Sequence, residues 1–547
     1  MKKLAFILLL FALSCKQQPK TVIAPWIPYN ESELLAKNAK HESQRMRYKL
    51  IQSKTLDKNE IWKSVSEQIA YFSEDDYLML KPLILGQDIP TIQSHIQSGK
   101  LTYEKLTQWY LYRIVKFEND KDKALNAIIS INPNAVNEAR KRDESRSTMN
   151  HPIFGIPVLL KDNIDMEFMP TTAGAQALRN NITSNAFIVD RIIEKGGIIL
   201  GKTNLSEWAN YLCKICPNGY SSVGGQTLNP YGRTIFDTGG SSSGSGASMS
   251  ANYAAVAVGT ETSGSILSPS SANSIVGLKP TVGLLSRGGI VPISSTLDTP
   301  GPMTRNVIDN AILLSAMAGE DKDDPATKNN PKNKMYWEDL SKGEIKGLRF
   351  GIIKDFLSDS IYKLNVDRLK SLGGVMVEFE AEKANLEGFS TLLDADMKAD
   401  LASYLAKYAS KEIKFRSVSE IVDFNNQDTL VRIPYGQARF EGILADKTNA
   451  EDLVKLREKL NKEGIRFFET PMVKYQLDVI LSINNRTAGF AAAAKYPCIT
   501  IPMGYKKSGE PEGLTIIARP FEEDKLLKIG FAYEQATKLR QVPVNYN

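Results

Sequence analysis

Two kinds of hydrophobic pattern alternate along this chain. Over residues 31–80 apolar positions recur at helical spacing among many charges, with few glycines, which predicts amphipathic helices. From Ile92 the pattern thickens. Gly99 ends one helix and Thr102 is placed to cap the next, with Glu104 in its first turn. Leu106, Trp109, Tyr110, Ile114 and Val115 give that helix an apolar face. Residues 153–160 form a strand-like apolar run holding Gly155 and Pro157, and helix and strand patterns then alternate to about residue 320. This alternation predicts an α/β layered fold. Residues 321–346 are rich in Asn, Asp and Lys and read as a surface loop. Strand and helix resume over residues 348–380, and residues 388–465 are helical and charged. The alanine-rich residues 489–495, a strand at 497–502 and a helix at 526–540 close the pattern.

The 547 residues are 42% hydrophobic and 24% charged, with a formal net charge of +6. These values suit a globular protein with ample core. No basic stripe is interleaved with aromatics, so nucleic acid is not an expected partner. The first residues change the picture more. Lys2 and Lys3 precede an apolar run over residues 4–13, then Ser14 and Cys15. This reads as a secretory signal, too short to span a bilayer. A small residue before cysteine resembles a bacterial lipoprotein box, with Cys15 as the acylated residue. Plain signal cleavage is the competing reading. The expected divisions are a signal over residues 1–14, a linker and helical extension over 15–90, and one large body over 91–547. The expected location is exported, tethered by a lipid anchor to a membrane of the bacterial envelope.

One motif misleads. Residues 196–203, GGIILGKT, spell the P-loop pattern. A P-loop needs strand, loop, helix. Here residues 185–195 have helical spacing, Gly196 and Gly197 suit a helix C-cap, and Ile198, Ile199 and Leu200 form a buried strand. The order is reversed, and nucleotide binding is set aside. Cys213 and Cys216 spell CKIC without a second pair for zinc. A local disulfide and unpaired loop thiols both remain open. No metal or other cofactor is implied.

Residues 238–248, TGGSSSGSGAS, lie between core elements and so are not a linker. Gly240 to Gly244 match the nucleophile elbow G-x-S-x-G. That motif needs a histidine downstream. The chain has three histidines, His41, His95 and His151, all upstream. A serine nucleophile here needs another base, and lysine is the known option. Lys161 follows Val158, Leu159 and Leu160 in GIPVLLKDNID, at the end of a buried strand. Lowering a lysine pKa by about three units costs on the order of 4 kcal/mol, which a catalytic role would justify. A lysine snorkelling to the surface, or paired with Asp162 or Asp165, fits the same stretch equally.

Lys161 in GIPVLLKDNID, then GGSSSGSGAS, GTETSGSI and VGLKPTVGLLS, resemble the ordered blocks of the amidase signature family. GKTNLSEWAN, AGFAAAAKYPCITIPMGY and FAYEQATK continue the likeness. The resemblance implies the family's fold, a large mixed twisted β-sheet flanked by helices on both faces, here with the N-terminal helical extension. It also implies a Ser–cis-Ser–Lys triad: Lys161 as base, Ser241 as the bridging serine after a cis bond, and Ser265 as nucleophile. The backbone around Thr262, Ser263, Gly264 and Ser265 would form the oxyanion hole, and Gly240 and Ser242 would line the substrate. Many members carry GGSSGG where this chain has GGSSSG, aspartate at Glu261, arginine at Leu267, and glycine or aspartate at Ser263. The spellings SSSGSG and GTET, with GGQTLNPYGR upstream, are most similar to a branch that removes the C-terminal amide of peptides. The implied activity is amidase, on a small-molecule or peptide carboxamide. The signal sequence argues against a tRNA-dependent amidotransferase subunit. The alternative of a different class is a catalytically reduced scaffold or binding protein on the same fold.

Overall fold

An eleven-stranded mixed sheet runs through the molecule. The computed structural model describes residues 20–331 and 334–547; the expected signal over residues 1–14 and Cys15 lie outside the described residues. The strands are β1 (Ile128–Ile131), β2 (Pro157–Lys161), β3 (Ile198–Thr203), β4 (Val256–Glu261), β5 (Val276–Lys279) and β6 (Thr299–Thr304). Then follow β7 (Arg349–Ile353), β8 (Val375–Phe379), β9 (Val479–Ile483), β10 (Cys498–Tyr505) and β11 (Pro511–Ile517). Their order across the sheet is β1-β3-β2-β4-β6-β5-β10-β11-β9-β7-β8. β2 runs parallel to both β3 and β4, and every residue of these three strands is buried. Consecutive buried residues require cover on both faces, which is why these segments read as continuous apolar runs.

The alternating pattern translated into elements with small shifts at the ends. Thr102 caps the helix Tyr103–Glu118, its side chain accepting from Lys105 N–H. The helix Phe187–Glu194, Gly196 at φ +87° and β3 follow in the order that set the P-loop aside. The apolar run at 153–160 becomes a strand only from Pro157: Gly155 turns at φ +71°, with the Tyr103 ring against it. Among its described residues the expected surface loop at 321–346 carries only short 3₁₀ turns, yet Tyr336 and Leu340 are buried. β11 was not foreseen, because its polar approach hides a fully buried run.

The extension ahead of residue 91 packs as core. Trp62, Val65, Phe72, Tyr77 and Ile84 belong to the main hydrophobic cluster with the central strands. Arg113, fully buried, donates to the carbonyl of Ala251 at 2.9 Å and also to Tyr77 and the Tyr546 carbonyl. It thereby ties the extension to the C-terminal residues. A second cluster joins the helices Phe389–Lys407, Val418–Asn426 and Ala438–Ala445 to the segments 173–178, 208–212 and 291–297. There Leu401, Ile421 and Phe440 pack with Trp208, Val291 and Ile293. Cys213 and Cys216 are joined in a disulfide, which closes the alternative left open by their spacing.

Candidate active site

Open α/β sheets place their sites beyond the carboxyl ends of parallel strands. β2 ends at Lys161 and β4 at Glu261, side by side. Lys161 has no solvent exposure. Its Nζ donates to Ser241 Oγ at 2.8 Å, to Thr260 Oγ1 at 2.8 Å and to the Thr260 carbonyl at 3.1 Å. It neither snorkels nor pairs with a carboxylate. Asp162 is the ion-pair partner of Lys202 at 3.4 Å, and Asp165 accepts from Tyr404 Oη at 2.7 Å. Burial therefore governs the amine. It pulls the Lys161 pKa down to about 7, against the opposing pull of Asp298 and Glu261. A neutral amine at hydrogen-bond distance from a hydroxyl can take its proton.

Ser241 follows a cis peptide bond from Gly240 and is fully buried. Gly240 sits where a Cβ would lie 2.6 Å from Ser206 Oγ, so no side chain fits beside the turn. The helix Ser243–Ser250 begins just after it. Ser242 was expected to line the substrate. Its hydroxyl instead bonds the backbone of Thr260, donating to the carbonyl at 3.1 Å and accepting from the N–H at 3.2 Å. Ser242 N–H donates to the carbonyl of Ser265 at 3.2 Å, which holds the two serine segments against each other. Ser265 is 8% exposed, whereas Lys161 and Ser241 are at 0%. The order runs from a sealed amine to a hydroxyl near the surface.

The backbone over residues 262–265 is shaped by Glu261. Its carboxylate accepts from Gly264 N–H at 2.6 Å, Ile266 N–H at 2.7 Å and Leu267 N–H at 3.0 Å. Gly264 N–H, expected in the oxyanion hole, is thus committed elsewhere. Among the described residues no acceptor takes the N–H groups of Thr262, Ser263 and Ser265. These three remain available to a developing oxyanion.

Two further groups escaped sequence reasoning. Thr260 supplies Lys161 with two acceptors, and its Oγ1 also receives Asn163 Nδ2 at 3.1 Å. The TxT alternation in GTET places Thr260 and Thr262 on one face of the strand end, a signal that was present. Asp298 accepts from Thr262 Oγ1 at 2.5 Å and from the N–H groups of Ile293 and Ser294 at 2.8 and 2.9 Å. Burial pushes its carboxyl up to about 6. No local motif announces Asp298; it arrives because β6 pairs with β4, Thr299 opposite Glu261.

Comparison with known proteins gives this geometry its family. Residues 106–488 match the family model described as Amidase. The chain is 36% identical over 479 residues to a probable amidase of Arabidopsis thaliana, covering 83% of this chain and 91% of that protein. The structure of an amidase family protein from Bacillus anthracis str. Ames superposes with a TM-score of 0.85 at 35% identity, over 90% of this chain and 99% of that one. Native peptide amidase from Stenotrophomonas maltophilia gives a TM-score of 0.80 at 35% identity, over 84% and 98%. With its match spanning Lys161, Ser241 and Ser265, the chain belongs to the amidase signature family and is an amide-bond hydrolase.

Proposed function

We propose that the enzyme hydrolyses a carboxamide through an acyl-enzyme on Ser265, with Ser241 and Lys161 as the proton relay. Neutral Lys161 takes a proton from Ser241, which takes the proton of Ser265 as its Oγ attacks the amide carbon. The developing oxyanion is met by the N–H groups of Thr262, Ser263 and Ser265. The relay returns a proton to the leaving nitrogen, the C–N bond breaks, and ammonia or an amine departs. Water, deprotonated by the same relay, then releases the acid and restores Ser265. The observation that carries this reading is the 2.8 Å contact between the unpaired, buried Lys161 amine and Ser241 Oγ.

The substrate class in this reading is a small amide or the C-terminal amide of a peptide. The likeness to peptide amidase supports the second. Ammonia release from peptide amides and small amides tests the activity, and a fluorophosphonate tests the nucleophile. Labelling at Ser265 with ammonia release is the expected result. A folded protein that neither labels nor releases ammonia is the scaffold alternative instead.

The same proposal places the enzyme at the bacterial envelope, held by a lipid on Cys15. Lys2, Lys3 and the apolar run over residues 4–13 support it. Expressed in a bacterium that processes lipoproteins, the protein is expected in the membrane fraction, and Cys15→Ala is expected to release it. Equal fractionation of the two forms would remove the anchor.

A further inference from the structure

A cavity of about 330 Å³ lies at the opposite end of β6 from Asp298, bordered by Gly86, Asp88, Arg305, Glu534, Lys538 and Arg540. It sits where the helix Glu523–Thr537 ends and the helices Val307–Met317 and Ile89–Gln97 begin. Two guanidinium groups line it. Arg305 is only 3% exposed; its Nη1 donates to the Ala254 carbonyl at 2.6 Å, while Nε and Nη2 make no close hydrogen bond among the described residues and have only the neutral Tyr110 hydroxyl beside the guanidinium. Arg540 makes one long contact, Nη2 to the Ser250 carbonyl at 3.4 Å, and its buried Nε has no partner. Desolvated cationic donors left unpaired are costly, so such an arrangement calls for a counter-charge.

The nearby carboxylates supply it only through space, Asp309 to Arg305 and Glu534 to Arg540, without an ion-pair contact, because each is hydrogen-bonded to a helix N-terminus. Glu534 accepts from Val307 N–H at 3.1 and 3.2 Å. Asp309 accepts from Ile89 N–H at 2.7 Å and from Asn306 Nδ2 at 3.0 Å. Asp88 caps Thr91 N–H at 2.8 Å. Burial also pushes Glu534 up to about 8 and Asp309 up to about 7, which weakens their negative charge near neutrality.

We propose that this cavity is an anion-binding site for a small, soluble oxyanion of the phosphate type, bridged between Arg305 and Arg540 with Lys538 at the rim. Several oxygens on one centre suit donors from two forks, and a multiple charge suits two guanidinium groups and an ammonium. The volume is in the range of small-ligand sites.

The test is a titration of the purified protein with inorganic phosphate at constant ionic strength, with chloride as the balancing salt, read by calorimetry and thermal melting. A saturable isotherm with one site per chain and a rising melting temperature are expected. Arg540→Gln is expected to weaken phosphate binding by about tenfold or more, since it removes a charge-assisted fork. Arg540 is partly exposed, so this variant serves where Arg305→Met fails to fold; its phosphate-free melting checks the fold. No saturable phosphate effect in the wild type, or the same affinity in a folded Arg540→Gln, overturns the site.

Discussion

Lys161 and Lys202 stand one register step apart on neighbouring parallel strands, both without solvent exposure, and only Lys202 meets a carboxylate. Successive residues of a strand face opposite sides of the sheet. Leu160 pairs with Lys202 and Lys161 with Thr203, so the two side chains leave the sheet on opposite faces. On one face Lys202 finds Asp162 at 3.4 Å and donates to Thr171 Oγ1 at 2.8 Å. On the other, Lys161 finds only hydroxyls and a carbonyl. One lysine is a buried ion-pair partner; the other is the base of the proposed mechanism.

Replacing each lysine by methionine separates the two roles. Lys161→Met is expected to lower kcat/KM by about 10²–10⁴-fold, the usual weight of a general base, without lowering the melting temperature. Lys202→Met leaves the buried Asp162 with Thr172 but no cation, and is expected to cost about 3–5 kcal/mol of stability while the folded fraction keeps its activity. Denaturant unfolding and steady-state kinetics on both variants check this. A Lys161→Met enzyme that keeps near-wild-type turnover removes the amine from the reaction.

The pH profile follows from the lowered pKa of Lys161. In the proposed mechanism the active form is the neutral amine, present above about 7. kcat/KM is therefore expected to rise with unit slope below about 7 and to level above it. Asp298 holds the Lys161 pKa up, so Asp298→Asn is expected to move the rising limb to lower pH. The stability sign is also fixed. Between the folded pKa of about 7 and an unfolded one of about 10.4, only the unfolded chain holds this proton. Stability from this group accordingly rises with pH, by about 1.4 kcal/mol per unit. A rate limb that falls with rising pH across neutrality contradicts the assignment.

What the chain discloses on its own, and what it hides, divides along physical lines. Val158, Leu159 and Leu160 announce a strand buried on both faces, and a lysine at its end is conspicuous because burial and charge conflict there. Ser241 and Ser265 are picked out by the resemblance of GGSSSGSGAS and GTETSGSI to the family's blocks. Directions of side chains are not local. Ser242 has the right chemistry for a binding residue, but packing against Thr260 turns its hydroxyl into the backbone. Gly264 N–H is lost to Glu261 only because the loop folds back on its own strand end. Asp298 reaches the site through strand pairing, and Arg305 and Arg540 come together from segments far apart in the chain. Except for the Glu261–Gly264 contact, none of these depends on a neighbour in the sequence.

Gly244 tests how tightly the serine turn is pressed on the sheet. A Cβ there would lie 2.4 Å from the Asn204 carbonyl, 2.6 Å from Asn204 N and 2.7 Å from the Ala127 carbonyl. All three are backbone atoms and none can swing away. Gly244→Ala must push the helix Ser243–Ser250 off the strand ends, and Ser241 moves with it. The expected cost is about 1–3 kcal/mol of stability, with a fall in kcat of about 10²-fold because a small displacement breaks the relay. Gly442→Ala is a control for handling, since its Cβ would meet only Asp394 Oδ2, at an ordinary 3.7 Å. Gly244→Ala with wild-type stability and turnover would show that the turn is not held as described.

Glu261 offers the sharpest separation of charge from shape. Its two carboxylate oxygens take the N–H groups of Gly264, Ile266 and Leu267, on either side of Ser265. This leaves Ser265 N–H unclaimed and fixes where its hydroxyl stands. Glu261→Gln keeps the length but replaces one acceptor by an NH₂ donor, which must face a backbone N–H. The loop is then expected to move, lowering kcat by about 10–10²-fold with a smaller change in KM. It also removes a negative charge that holds the Lys161 pKa up, so the rising limb of the pH profile shifts lower. Glu261→Asp keeps both acceptors on a shorter arm and is expected to retain more activity than Glu261→Gln. The reverse ranking, with the glutamine form more active than the aspartate form, would mean that side-chain length and not the paired acceptors positions the nucleophile loop.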